Sequence, residues 1–332
     1  MPLVDSFGRT IRYLRVSVTD RCNLACDYCR PFGEPLLPNH QELLTLEEIA
    51  RLVRLFAALG VERFRLTGGE PLVRRNVIAL VRELGGMAGV RELSLTTNGV
   101  LLARYARALH EAGVRRVNIS LDTLTPEIFR RITRGGELAP VLEGIEAALE
   151  AGMRPVKINM VVMRGMNDHE IPEMVAFAAR RGLLLRFIET MPVGQAGQEV
   201  LDRYVSAEEI FQHVRRGFGG GVVPVLHQEP QGSGPARYFR IEGTGAEVGV
   251  ISARSRHFCD TCNRMRLTSK GALVLCLGSV DRVDLKTALR SGETDHQLMA
   301  RIQDAVALKP ERHHFDGAWD TSPTLNMSAL GG

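Results

Sequence analysis

The stretch Cys22-Asn-Leu-Ala-Cys26-Asp-Tyr28-Cys29 says most about how this chain folds and what it binds. Three residues separate its first two cysteines, and two residues separate the second from the third. A second group, Cys259, Cys262 and Cys276, lies near the other end of the 332-residue chain, and the sequence holds no other cysteine. Cysteines that fall three and three at ligand spacing predict two metal centres rather than scattered buried thiols.

The spacing of the first group is typical of iron–sulfur ligation, in which a short loop wraps a cluster. Three thiolates leave one iron of a four-iron cluster without a protein ligand, and an open iron is a place where a small molecule can bind. The second group also allows another interpretation, because His257 stands two residues before Cys259. That histidine would complete a Cys3His zinc site.

The composition is that of a folded globular protein. Hydrophobic residues make up 45% and charged residues 24% of the chain, which excludes disorder as the dominant state. A net charge of +4 is too small to indicate bulk nucleic-acid or membrane binding. No apolar run approaches the roughly eighteen residues of a membrane helix, and residues 1–15 lack a signal-peptide core. We expect a soluble, cytoplasmic protein whose thiols stay reduced.

Strand patterns alternate with helical patterns through the first part of the chain. Thr45 and Glu48 form a capping-box pattern at the start of the first helix. Alternation of this kind predicts right-handed βαβ units and an α/β fold, a partial (β/α)6 barrel built on a parallel sheet. The predicted strands are residues 11–19, 63–67, 92–97, 114–121, 156–163 and 183–190.

The pattern changes after Met191. Loop compositions, short strands and two helical stretches near Leu285 and Leu298 follow, together with the second cysteine group. We therefore predict a partial barrel over residues 1–195 and a C-terminal α+β region over residues 196–332. The sequence contains neither GxGxxG nor a P-loop, so a phosphate site of those types is not expected.

Polar residues recur at the predicted strand ends, where barrels carry their active sites. They are Thr67 to Glu70, Thr96 to Asn98, Ser120 and Asp122, and Glu189 and Thr190. Any one of them alone would be read as a turn or a helix cap. Their recurrence predicts a site at that edge.

Several of these segments together resemble one family, the GTP 3′,8-cyclases of molybdenum-cofactor biosynthesis, within the radical S-adenosylmethionine (radical SAM) superfamily. The resemblance covers essentially the whole chain, including the final Gly331-Gly332. The segments that carry it are Arg15-Val-Ser-Val-Thr-Asp-Arg-Cys22, Arg65-Leu-Thr-Gly-Gly-Glu-Pro, Leu95-Thr-Thr-Asn-Gly, Val117-Asn-Ile-Ser-Leu-Asp and Cys259-Asp-Thr-Cys262-Asn-Arg264-Met-Arg266-Leu.

The resemblance implies two [4Fe–4S] clusters, S-adenosylmethionine as cofactor and GTP as substrate. It assigns Cys22, Cys26 and Cys29 to the first cluster and Cys259, Cys262 and Cys276 to the second. It assigns Tyr28, Gly69, Ser120 and Met191 to S-adenosylmethionine, and Arg15, Arg65, Thr96, Lys157, Arg264, Met265 and Arg266 to GTP. Arg15 is also implied to be catalytic, positioned by the Gly331-Gly332 tail.

The implied reaction is a radical rearrangement, the first step of molybdopterin synthesis. An adenosyl radical removes the hydrogen at C3′ of GTP, C3′ attacks C8 of guanine, and an electron and a proton complete 3′,8-cyclo-7,8-dihydro-GTP. The implied partners are an electron donor, the cyclic pyranopterin monophosphate synthase that takes the product and, as a homodimer, a second copy of the chain. Nucleic acid and membrane are not expected as partners.

Two rival functions remain open from the residues alone. A peptide-modifying radical SAM enzyme would carry a peptide-recognition domain and more C-terminal cysteines. A zinc-stabilised nucleic-acid-binding protein would hold zinc and a stronger basic patch. A metal analysis of the purified protein distinguishes a zinc site from iron–sulfur clusters directly.

Overall fold

The computed structural model describes residues 2–33, 42–225, 234–313, 315 and 325–331. The strands are β1 Tyr13–Ser17, β2 Arg63–Thr67, β3 Glu92–Thr97, β4 Arg116–Ser120, β5 Val156–Val161, β6 Leu184–Ile188, β7 Val222–Pro224, β8 Arg237–Ile241, β9 Glu247–Ile251, β10 Arg264–Leu267, β11 Ala272–Val274 and β12 Arg282–Asp284. The helices are α1 Leu46–Ala58, α2 Val77–Gly85, α3 Leu102–Glu111, α4 Pro126–Ile132, α5 Ala139–Glu150, α6 Ile171–Arg181, α7 Gly194–Glu199, α8 Ala207–Phe218, α9 Leu285–Arg290, α10 Asp295–Ala307 and α11 Met327–Leu330.

Helix α1 begins where the sequence predicts. The Thr45 hydroxyl accepts from the Glu48 N–H at 3.1 Å, and the Glu48 carboxylate accepts from the Thr45 N–H at 2.7 Å. This capping box satisfies backbone donors that the first helical turn leaves without partners. The apolar face that follows, including Leu52 and Phe56, is fully buried.

One sheet runs through the whole chain. Strands β1 to β6 lie side by side in parallel, which confirms the predicted α/β class and its parallel core. The sheet continues at both edges, because β10 pairs in parallel with β1 and β9 pairs in parallel with β6. The division at residue 195 stays a prediction, while the C-terminal strands add to the sheet that the N-terminal strands build.

The two faces of the sheet differ in chemistry. Leu14 and Val16 of β1 are fully buried among apolar residues, and so are Phe64 and Leu66 of β2. Because side chains alternate along a strand, the residues between them point to the opposite face. That face carries polar and cationic groups around a cavity. Among the described helices, none is long and apolar enough to cross a membrane.

We predict that Gly85→Ala destabilises the chain while Gly86→Ala does not. A Cβ at Gly85 would collide with the backbone oxygen of Ala112, whereas one at Gly86 would have its nearest atom, the Arg82 oxygen, at 3.8 Å. Overpacking against backbone typically costs about 1–3 kcal/mol. Urea unfolding measures the stability of both variants. Equal unfolding midpoints for Gly85→Ala and Gly86→Ala would contradict the packing shown for α2.

Candidate active site

The concave face of the sheet encloses a cavity of about 230 Å³. Most residues that the family resemblance names meet there, although they come from both ends of the chain. Those on its wall are Arg15, Tyr28, Arg65, Thr96, Ser120, Met191, Cys259, Cys262, Arg264, Met265, Arg266 and Cys276. The structure therefore brings the second cysteine group and most of the expected cofactor and substrate residues to one cavity.

Five expected residues are not among those that line the cavity. They are Cys22, Cys26, Cys29, Gly69 and Lys157. The first cysteine loop reaches it through Tyr28, the residue between Cys26 and Cys29. The two cysteine groups thus flank the same cavity, the second on its wall and the first one residue away.

The first cysteine group is a tight turn whose three cysteines are half-buried. The Cys29 N–H donates to the Cys26 carbonyl at 3.0 Å. Burial raises the pKa of the Cys22 thiol, and burial together with the neighbouring Cys29 raises the pKa of Cys26 well above its ordinary value. Thiolates that crowd together in a buried place are stabilised by a bound cation, so this donor set fits an iron–sulfur cluster.

Tyr28 is anchored to the barrel by Asp122, just beyond the end of β4. Its hydroxyl donates to Asp122 Oδ2 at 2.7 Å, and Asp122 Oδ1 accepts from the Val161 N–H at 2.8 Å. Burial raises the pKa of Asp122 to about 6, against the opposing effect of those two hydrogen bonds. The pair ties the first cysteine loop to the ends of β4 and β5.

Gly69 and Glu70 tie the same loop to β2 and β3. The Gly69 N–H donates to the Thr19 carbonyl at 2.8 Å, and a Cβ at Gly69 would collide with the Arg21 carbonyl oxygen. The glycine is therefore required by the close approach of the chain leading into Cys22. Glu70 accepts from the Asn98 N–H at 2.7 Å, and burial raises its pKa to about 7.

Glu189, another predicted strand-end residue, is fully buried on the cavity wall. Its carboxylate accepts from the N–H groups of Ala207 at 2.8 Å, Arg254 at 3.0 Å and Ser255 at 3.1 Å. These contacts join the end of β6 to α8 and to the segment after β9. Its carboxylate is thus occupied in holding the wall together.

The second cysteine group lies in a cationic surrounding. The Cys262 N–H donates to the Cys259 carbonyl at 3.0 Å. Burial opposes ionisation of Cys262, yet Arg264 and Lys309 lower the pKa of its thiol. Burial raises the pKa of Cys276, and Lys309 partly offsets that rise. A cationic surrounding favours thiolates, which are the form that ligates metal.

The zinc alternative depends on the histidines near Cys259. Ligand atoms of His257, Cys259 and His313 lie within 4.8 Å of one another. The Phe315 N–H donates to His313 Nδ1 at 3.3 Å, so the proton of the neutral His313 ring sits on Nε2, which faces His257 Nδ1 at 3.2 Å. A protonated ring nitrogen has no lone pair for a metal. The arrangement favours a hydrogen-bonded histidine pair over a zinc ligand set.

Three arginines stand in register across neighbouring strands. Arg15 of β1 pairs with Arg266 of β10 on one side and with Arg65 of β2 on the other. Burial and the nearby Arg15 lower the pKa of Arg266 well below its ordinary value, and burial also lowers the pKa of Arg65. Like charges on adjacent strands repel. An anion in the cavity would relieve that repulsion.

The structure adds Arg186 to this cationic set, a residue that the sequence reasoning missed. It is buried on β6, lines the cavity, and its Nε has no hydrogen-bond partner among the described residues. Burial and Arg65 lower its pKa to about 10. Burial, Arg186 and Arg65 also lower the pKa of Lys157 to about 7. An arginine inside the apolar strand Leu-Leu-Arg-Phe-Ile was the available signal.

The C-terminal tail enters the barrel, where the Arg266 guanidinium donates to the Gly331 carbonyl. The contact with Arg15 that the resemblance implies stays a prediction. A Cβ at Gly331 would collide with Thr67 Oγ1, and its φ of +78° favours glycine. Gly332 lies outside the described residues.

Comparison with known proteins gives the same picture. Residues 16–178 match the radical SAM superfamily, and residues 183–315 match the C-terminal family Molybdenum Cofactor Synthesis C. A GTP 3′,8-cyclase of Hydrogenovibrio crunogenus is 46% identical over 333 residues, covering 100% of both chains. One of Pelotomaculum thermopropionicum is 47% identical and covers 99% of both chains.

A solved structure shares the fold at low sequence identity. SuiB of Streptococcus suis, bound to S-adenosylmethionine, superposes with a TM-score of 0.60 at 14% identity, over 93% of this chain and 77% of its own. The sequence matches are far closer and extend over the full length. This chain belongs to the GTP 3′,8-cyclase family of the radical SAM superfamily.

Proposed function

We propose that this chain converts GTP to 3′,8-cyclo-7,8-dihydro-GTP, the first step of molybdenum-cofactor biosynthesis, and that the reaction takes place in the cavity between its two cysteine groups. The observation that carries the proposal is the row of Arg266, Arg15 and Arg65 facing that cavity. Within the described part of the chain these half-buried guanidinium groups form no ion pair with a carboxylate, and clustered cations of this kind favour an anionic ligand. A nucleoside triphosphate supplies that charge.

The cofactors of this family are two [4Fe–4S] clusters and S-adenosylmethionine. Cys22, Cys26 and Cys29 hold the first cluster, and Cys259, Cys262 and Cys276 hold the second. When bound, the first cluster and S-adenosylmethionine supply an electron and the 5′-deoxyadenosyl radical that removes a hydrogen atom. The crowded, half-buried thiols of the first group and the cation-flanked thiols of the second group fit these clusters.

We assign S-adenosylmethionine to Tyr28, Ser120 and Met191 on the cavity wall, and Tyr28 belongs to the first cysteine loop. Gly69 fixes the chain that leads into that loop. The Tyr28–Asp122 hydrogen bond holds the loop at a set distance from β4 and β5. These residues orient the cofactor toward the substrate.

GTP spans the rest of the cavity. Its triphosphate is bound by Arg65 and Arg186 on the cavity wall, together with Lys157 of β5, which lies beside both arginines and two residues before the lining residue Asn159. Guanidinium groups suit phosphate because they can donate two parallel hydrogen bonds. The purine lies toward the second cysteine group, next to Arg264, Met265 and Arg266 of β10, and Thr96 of β3 is the remaining substrate residue on the cavity wall.

Arg15 stands between these two ends. Its β1 position places it beside both Arg65 and Arg266, and it lines the cavity. We assign to it the role of orienting the ribose and adjacent phosphate so that C3′ faces the cofactor and C8. Positioning of this kind converts a reaction between separate groups into one between fixed neighbours.

The remaining partners follow from the chemistry of the reaction. Reductive cleavage of S-adenosylmethionine needs an electron donor, and the cyclised nucleotide is consumed by the cyclic pyranopterin monophosphate synthase. We also propose a cytoplasmic location, where a cluster protein with reduced thiols is stable, and a homodimeric state.

We predict about eight irons and eight sulfides per chain in protein purified anaerobically. Cys22→Ser and Cys276→Ser should each remove about half of both, because each group holds its own cluster. Elemental analysis and sulfide assay measure this. Zinc in the second site with only four irons per chain would contradict the assignment.

We predict that Arg186→Met weakens GTP binding by roughly ten- to a hundredfold, the effect of about 1.5–3 kcal/mol from one charge-assisted contact. Reductive cleavage of S-adenosylmethionine should continue. Arg240→Met is the matched control, because Arg240 is exposed and paired with Glu247 at 3.1 Å. Equal GTP dissociation constants for the two variants would remove Arg186 from the triphosphate site.

We predict that GTP binding at pH 8 takes up a proton. With its pKa lowered to about 7, Lys157 is mostly neutral in the free protein at that pH. A bound triphosphate favours the ammonium and raises that pKa, so a proton enters with the ligand. Calorimetry in buffers of different ionisation enthalpy counts the proton. Lys157→Met should abolish the uptake, and no uptake by the unaltered chain would contradict the role of Lys157.

A further inference from the structure

Lys309 is a buried cation that neither the sequence motifs nor the reaction above uses. Only 2% of the residue is exposed, and it lines the cavity two residues after α10 ends. Its ammonium donates to the Leu275 carbonyl, which belongs to the peptide bond that leads into Cys276. Within the described part of the chain, no carboxylate lies at ion-pair distance from its Nζ.

An ammonium in such a place needs negative charge nearby, since burying an unpaired charge is costly. Lys309, Cys262 and Cys276 line the same cavity, and the Lys309 ammonium binds the carbonyl of the residue directly before Cys276. The thiolates of a bound cluster would supply the charge that Lys309 lacks.

Arg9 fixes Lys309 relative to the cysteines. The Arg9 guanidinium donates to the carbonyls of Pro310 at 2.7 Å, Glu311 at 2.6 Å and Cys259 at 3.0 Å. Its Nε pairs with the buried Asp5 carboxylate at 2.6 Å. The segment that follows Lys309 and the loop of Cys259 are therefore held by one side chain.

We propose that Lys309 is a positioning residue for the second cluster. It holds the Leu275–Cys276 peptide through its hydrogen bond and presents a fixed positive charge to the thiolates of Cys262 and Cys276. The inference rests on the proposed assignment of the second cysteine group to a cluster. A fixed cation beside a cluster favours the reduced form, so Lys309 raises the reduction potential and slows the loss of iron.

The test isolates the second cluster in the full chain by replacing Cys22, Cys26 and Cys29 with serine. In that background we compare Lys309→Met, Lys309→Arg and Lys309→Gln with Lys270→Met, a control at an exposed lysine paired with Glu42. The measurements are the reduction midpoint, by titration monitored with electron paramagnetic resonance, and the rate of iron loss to a chelator. Circular dichroism checks that each variant is folded.

We expect Lys309→Met to have a lower midpoint and roughly tenfold faster iron loss, whereas Lys309→Arg and Lys270→Met stay close to the parent. Lys309→Gln separates charge from hydrogen bonding, because its amide can still donate to the Leu275 carbonyl. A lowered reduction midpoint in Lys309→Gln supports the role of the positive charge. If the Lys309→Met variant retains no cluster, the midpoint of Lys309→Gln alone decides whether that charge raises the reduction potential.

A parental midpoint in folded, cluster-bearing Lys309→Met and Lys309→Gln variants overturns the assignment of Lys309 alone. A parent chain that holds no second cluster overturns the proposed function and the Lys309 inference together. The two failures are therefore distinguishable by the iron content of the parent.

Discussion

The parallel pairing of β1 with β10 is the contact on which the site depends. It joins a strand that precedes the first cysteine group to a strand that follows Cys262, and it sets Arg15 directly beside Arg266. Without it the two cysteine groups would belong to separate parts of the chain. The pairing also adds β10 to the sheet edge, so that one curved face carries residues from both ends of the sequence.

This pairing brings like charges close together, and their repulsion is unfavourable in the free protein. The proposed function uses the same concentration of positive charge to bind an anion. Arg15, Arg65 and Arg266 stand in one row, and Arg186 lies close enough to Lys157 to lower the pKa of that lysine. The buried carboxylates Glu189, on the cavity wall, and Glu70, after the end of β2, accept hydrogen bonds from backbone N–H groups, and within the described residues neither forms an ion pair with an arginine of the row. A cavity built in this way is pre-organised for a polyanion, because a bound triphosphate neutralises cations that repel one another in the free protein.

Much of the fold and of the candidate site could be predicted from short stretches of the sequence. The cysteine spacing, the capping box at Thr45 and the order of the six parallel strands depend on residues close together in the chain, and the structure confirms the capping box and the strand order. The attachment of β9 and β10 to the sheet edges could not be predicted from local sequence, because these short strands are stabilised by pairing with strands that are distant in the chain. Gly69 shows the same limit, since its requirement comes from the approach of the Arg21 backbone. Arg186 and Lys309 belong to no sequence motif. Only their burial in the folded chain and their position on the cavity wall identify them.

The most direct test of the central claim is an anaerobic crystal structure of the chain loaded with both clusters, S-adenosylmethionine and GTP. The account predicts one GTP molecule inside the barrel, with its triphosphate against Arg65, Lys157 and Arg186, its purine at the second cysteine group and its ribose C3′ facing the 5′ carbon of the cofactor. A triphosphate bound outside this cavity, with the arginine row left facing solvent, would contradict it.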